Sequence, residues 1–207
     1  MLHIKPFWAL ALVAGIGLSA CGGGERWQTS YSDMIDPKVS KHWRVTSVDV
    51  RVPDRLTVSE QNSYAPNADI VWREDPLGDR RAQVDAIMTA AVKQGAAPLR
   101  GSRRVKLLIT VKTFHALSEK ARVMLNKSGV HNIEFLAQVI DARTGKPLTA
   151  VDDIKADLEA YVGYEAKVAV SKGQTQKRRI TDHVAHVISA WLGHGKDVRN
   201  SFNRLGR

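Results

Sequence analysis

The sequence predicts an α+β fold, an antiparallel or mixed sheet of about five or six strands with two amphipathic helices on one face. Three observations carry that prediction. Apolar and polar residues alternate with a period of two in segment after segment. Two other segments space their apolar residues by helical turns. In chain order the elements run β-β-β-α-β-β-β-α, and the short links between the last three strands suit a meander.

Each element has its own local cause. Residues 42–52 are rich in β-branched side chains, and Val48, Val50 and Val52 alternate before Pro53-Asp54 breaks the strand. Leu56 to Ser59 is a short extended piece, and a further strand is expected over 68–73 after the turn-prone Ala65-Pro66-Asn67. Asp75-Pro76 offers a cap and a first-turn proline, so a helix is expected from there, with Leu77, Val84, Ile87, Met88 and Ala91 on its buried face. Gly95 and Pro98 are expected to end it. Val105, Leu107, Ile109 and Val111 alternate in the next strand. After a turn at Asn126 to Gly129, Ile133, Phe135, Ala137 and Val139 form another, closed by Thr144 to Pro147. Ile154, Ala156, Leu158 and Ala160 alternate with Lys155, Asp157 and Glu159, a strand with one wet face. The final helix is expected over about 174–192, with Ile180, Val184, Val187, Ile188 and Trp191 as its stripe and Gly193 as its stop.

The first 20 residues belong to none of this. Lys5 is followed by an uncharged run, Phe7 to Ala20, that ends in small side chains, the layout of a secretory signal. Its 14 residues would make a helix about 21 Å long, short of the roughly 30 Å core of a bilayer. Leu18-Ser19-Ala20-Cys21 resembles the bacterial lipobox. That resemblance implies cleavage between Ala20 and Cys21 and acylation of Cys21, so that the bilayer is a partner through the lipid on its sulfur. Thioether-linked diacylglycerol brings two chains, enough for stable anchoring. Cys21 is the single cysteine, so no internal disulfide is possible. The expected organisation is a signal over 1–20, a lipidated tether over 21–41, one domain over 42–193 and a basic tail over 194–207. Gly22 is not the Asp that retains lipoproteins at the inner membrane of some bacteria, which favours the outer membrane, with the domain facing the periplasm.

The formal net charge of +10 falls to +9 once Lys5 is removed. An exported basic protein meets anionic lipid or acidic glycan rather than a genome, so no nucleic-acid partner is expected. The candidate anionic-ligand patch is Arg100, Arg103, Arg104 and Lys106; further basic clusters lie at 177–179 and 196–207. No phosphate loop, nucleophile elbow, zinc motif or dinucleotide fingerprint occurs, and neither a metal nor another cofactor is expected. His183 and His186 share helical spacing, but no third ligand accompanies them. His115 and His131 stand at strand ends that a hairpin would bring together. Trp43, Trp72 and Trp191 are expected in the core, while Trp27, in the tether, is free to touch a membrane interface.

Residues 57–72, 78–83, 130–133, 141–145, 156–158 and 193–207 together resemble a family of bacterial envelope lipoproteins known only as a domain of unknown function. The layout, a Trp-bearing strand, Pro-Leu and a helix, then Leu-Ile-Thr-Val strands, is also similar to auxiliary lipoproteins of envelope transport systems. The resemblance implies an envelope location and carries over no catalytic residue. The expected function is non-enzymatic: an accessory or assembly factor that binds an envelope protein partner. The alternative is a module binding anionic lipid, lipopolysaccharide or glycan. A bare sheet edge would favour the first, a continuous basic face the second, and a deep pocket of converging His and carboxylate groups an enzyme.

Overall fold

The computed structural model describes residues 26–127 and 129–205. The expected signal and the Ala20–Cys21 cleavage and lipidation site lie outside those residues. The described chain is an α+β fold built on one mixed sheet of eight strands. The strands are β1 (Arg26–Ser30), β2 (Trp43–Arg51), β3 (Ile70–Val71), β4 (Arg103–His115), β5 (Gly129–Asp141), β6 (Asp152–Ala156), β7 (Leu158–Ala160) and β8 (Asn203–Leu205). The helices are α1 (Pro37–Ser40), α2 (Arg80–Ala96), α3 (Glu119–Met124), α4 (Gly163–Ser171) and α5 (Gln176–Trp191). The sheet runs β2-β4-β5-β6-β1-β8, with β3 also on β4 and β7 also on β5. β2 and β3 pair with β4 in parallel, and the remaining pairs are antiparallel. Parallel pairing of β2 and β4 follows from the intervening α2, which carries the chain back across the sheet.

The core is the seam between the sheet and helices α2 and α5. Leu107, Ile109, Phe135, Val139 and Ile154 from the strands meet Val84, Met88, Ile180, Val184 and Ile188 from the helices, all fully buried. Trp43, Trp72 and Trp191 join that core, as their apolar surroundings in the sequence suggest. Trp72 meets Phe114 edge-on at 5.7 Å, and its Nε1 donates to Asp75 at 2.9 Å. α2 and α5 touch at Gly95, where an added Cβ would stand 2.4 Å from the Ala185 carbonyl. Gly95 therefore lies inside α2 to let the helices approach and does not end the helix.

The structure corrects several expectations. Residues 26–41 are no tether: β1 is inserted between β6 and β8, and Thr29 and Tyr31 are buried. The 194–207 segment returns to the sheet as β8, and the Tyr31 hydroxyl donates to Asp197 at 2.7 Å. α2 starts at Arg80 with Asp79 as its cap, and Leu77 is 82% exposed outside it. Glu74 caps α5, accepting from the Gln176 and Lys177 amides at 3.0 and 2.6 Å. Asp157 sits between β6 and β7 and is fully buried, not on a wet face.

Candidate functional site

The four cations of the expected patch do not form one surface. Strand alternation at the start of β4 sends Arg103 and Val105 one way and Arg104 and Lys106 the other. Arg103 is engaged by Asp141 at 3.0 Å and Lys106 by Asp49 at 3.5 Å. Asp141 is drawn down to about 2 by the Thr144 amide foremost and then by the Arg103 guanidinium. Arg100 and Arg104 have no carboxylate partner among the described residues. The parallel register sets Arg104 directly opposite Arg44 on β2, a like-charge pair that costs stability unless an anion accompanies it.

Arg100 instead belongs to a groove that the sequence does not announce. It measures about 330 Å³ and runs between β2 and the end of α2. Val45, Val48, Ala96 and Leu99 contribute apolar surface, and Arg44, Lys93 and Arg100 contribute cations with no ionic partner among the described residues. One wall is the outer edge of β2, nine residues long, against which no described strand pairs. An edge strand presents a row of unpaired N–H and C=O groups, a template for another extended chain. Arg44 is far from both Lys93 and Arg100 in sequence; the β2–β4 register and the return of α2 bring it beside them.

A second groove, about 600 Å³, opens where β1 begins and β4 ends. Trp27, Tyr64, Leu125, Lys127, Arg204 and Leu205 line it. Trp27 thus stands on a sheet strand and lines this groove. Lys120 Nζ lies 5.0 Å over the Tyr64 ring.

Asp157 and His183 are spent inside the fold. Asp157 accepts from the Gln28 amide at 2.8 Å, Asn132 Nδ2 at 2.8 Å and the Ile133 amide at 2.9 Å. Burial pushes its carboxyl up to about 6 against those hydrogen bonds. The Thr29 hydroxyl donates to the Asp157 carbonyl at 2.8 Å and lies 3.2 Å from His183 Nε2, which therefore donates to Thr29. Burial holds His183 near 4 and His131 near 3, so both stay neutral. His115 stands opposite Asn132, and its Nε2 meets the Pro66 carbonyl at 3.0 Å, so the hairpin pairs neither histidine with the other. Among the described residues no group of three His, Cys, Asp or Glu side chains is arranged to hold a metal. No described helix is long and apolar enough to cross a membrane.

The solved structures similar to this chain include three of low similarity. A "putative lipoprotein" from Caulobacter crescentus is 14% identical, covering 52% of this chain and 79% of that one, with a TM-score of 0.36. The PelC dodecamer subunit from Paraburkholderia phytofirmans is 11% identical, covering 84% and 99%, with a TM-score of 0.38. A Xanthomonas campestris protein of the DUF330 family is 10% identical, covering 80% and 91%, with a TM-score of 0.40. No curated protein matches the chain. Residues 43–207 match the model of a family of unknown function, DUF6778, and the chain belongs to that family.

Proposed function

We propose that this protein is a lipid-anchored envelope lipoprotein that works without catalysis, as an accessory or assembly factor holding a protein partner along β2. The observation that carries the reading is the free β2 edge beside an apolar groove rimmed by Arg44, Lys93 and Arg100. An extended partner segment would pair with β2 through its main chain and seat alternate side chains in the groove. The three cations select acidic residues on that segment. Acylated Cys21 would fix the domain to the membrane from the periplasmic side, and Gly22 supports sorting to the outer membrane.

Affinity purification from detergent-solubilised envelope tests the reading. The wild-type chain should retain a stoichiometric protein that is lost from the Arg44→Glu, Lys93→Glu, Arg100→Glu variant and from Thr46→Pro. Recovery of the same protein with both variants would overturn it. The Arg44–Arg104 apposition favours a second reading, a module for anionic lipid, lipopolysaccharide or glycan. That reading gains if the wild type retains such a molecule in place of protein and Arg104→Glu releases it.

A further inference from the structure

The groove at the start of β1 has a chemistry and a position that the partner-binding edge does not explain. Leu205 is 67% exposed and Tyr64 49% exposed, and Trp27 lies beside them. Arg26 and Lys127 are exposed near the same end, with Lys120 over Tyr64 and Arg204 in the wall. Lys127 has no acidic partner among the described residues. The acid on the rim, Asp69, is occupied by the Thr57 amide and hydroxyl at 2.7 and 2.8 Å. Indole, phenol and aliphatic side chains ringed by lysine and arginine are the mixture that settles at the headgroup layer of a bilayer. The cations suit the negative surface potential of anionic lipid.

Position gives the second argument. Cys21 precedes Arg26 by five residues. Even a fully extended chain covers only about 18 Å in that distance. A lipid on Cys21 therefore keeps the first residue of β1, and the groove beside it, close to the membrane plane. β2 is the opposite edge of the same sheet. The β2 groove flanks the start of β4 and this groove its far end, so the two surfaces divide the molecule, one end toward lipid and the other toward the aqueous compartment.

We propose that the groove formed by Trp27, Tyr64, Leu125, Lys127 and Leu205 docks on the anionic headgroup surface of the membrane that holds the acyl anchor. The proposal rests on the anchoring of Cys21 and adds a fixed orientation to it. The full-length protein, processed in cells and purified, is reconstituted into phosphatidylcholine vesicles containing phosphatidylglycerol and lipids brominated on their acyl chains. Mass spectrometry first establishes whether Cys21 carries lipid.

Trp43, Trp72 and Trp191 are buried, so quenching reports on Trp27, one of the four tryptophans beyond position 20. The expected result is a partial loss of emission that deepens with the phosphatidylglycerol fraction. It should vanish in Trp27→Phe and weaken in Leu205→Asp and Lys127→Glu. Acylated protein whose emission brominated lipid leaves unchanged overturns the docking while leaving the anchor intact, and a protein partner filling the groove would give that result. Quenching that persists undiminished in Trp27→Phe also overturns it. A processed chain without lipid on Cys21 overturns the anchoring and the docking together.

Discussion

Asp157 and His131 are buried and His183 half-buried, none of them lines either of the two grooves, and their charge states bear on how the fold answers to pH. Each histidine is held neutral, so the unfolded chain binds protons that the folded one does not once pH drops below about 6.5. Folded stability therefore falls with acid through that window. For fully buried His131, with its folded value near 3, the loss reaches about 2 kcal/mol at pH 5. Asp157 acts in the opposite direction: its folded value near 6 makes the native state the better proton binder between about 4 and 6, so acid relieves a cost there. The two histidines outweigh the single carboxylate, and acid destabilises the protein on balance. In His131→Leu, the fall in melting temperature between pH 7 and pH 5 should be visibly shallower than in the wild type; an unchanged fall would show that His131 protonates in the fold. Asp157→Ala probes the same node at neutral pH. It strands the Gln28 and Ile133 amides, and urea unfolding should register a loss of about 2–4 kcal/mol.

The helices divide into those that amphipathic spacing reveals and those it does not. α5 is visible because Ile180, Val184, Val187, Ile188 and Trp191 repeat on one face over its length. α2 is visible in its middle, but its start is not. Asp75-Pro76 looks like a cap, yet Asp75 is drawn to Trp72 and Lys177, and Asp79 does the capping. α3 and α4 are short, and their apolar residues are partly outside, so periodicity has little to register. Strands β4 and β5 alternate cleanly because only their inner face is packed by helices. The candidate grooves are hardly legible: Arg100 stands out as part of a charge run and Lys93 lies seven residues before it, but Arg44 joins them only through the β2–β4 pairing. Gly95 shows the same limit, since its role depends on α5. Gly95→Ala should gain up to about 1 kcal/mol of helix propensity and lose more through the forced separation of α2 from α5. Chemical denaturation should give a net loss of about 1–3 kcal/mol, and a more stable variant would contradict the close helix approach.

At the scale of the whole molecule, the sheet is completed from both ends of the chain. The polar, glycine-led stretch after Cys21 suggests a long leash because β1 is short and carries only one fully buried side chain, Thr29. Its importance comes from what it joins. β1 pairs with β6 and β8, the Ile35 amide donates to the Trp191 carbonyl at 2.8 Å, and Ser32 Oγ donates to Asp152 at 2.7 Å. Asp152 also accepts from Trp191 Nε1 at 2.9 Å, so this segment ties β6 to the end of α5. The family match begins at residue 43, inside the fold and after this segment. A chain shortened to start at His42 would uncover the edge of β6, leave β8 without its strand partner and take the Ser32 hydrogen bonds from the Asp152 carboxylate. The expected loss is roughly 5 kcal/mol, which for a domain of this size lowers the melting temperature by about 10–20 °C. An uncovered β6 edge also favours self-association, visible as larger species on size-exclusion chromatography. A chain starting at Arg26 keeps every one of these contacts and should melt with the chain that starts at Cys21. Equal melting of the His42 and Arg26 chains would return 26–41 to the status of a tether. The predicted gap between them instead makes Arg26, five residues after Cys21, the start of the folded domain, which is the condition the proposed membrane-docking orientation requires.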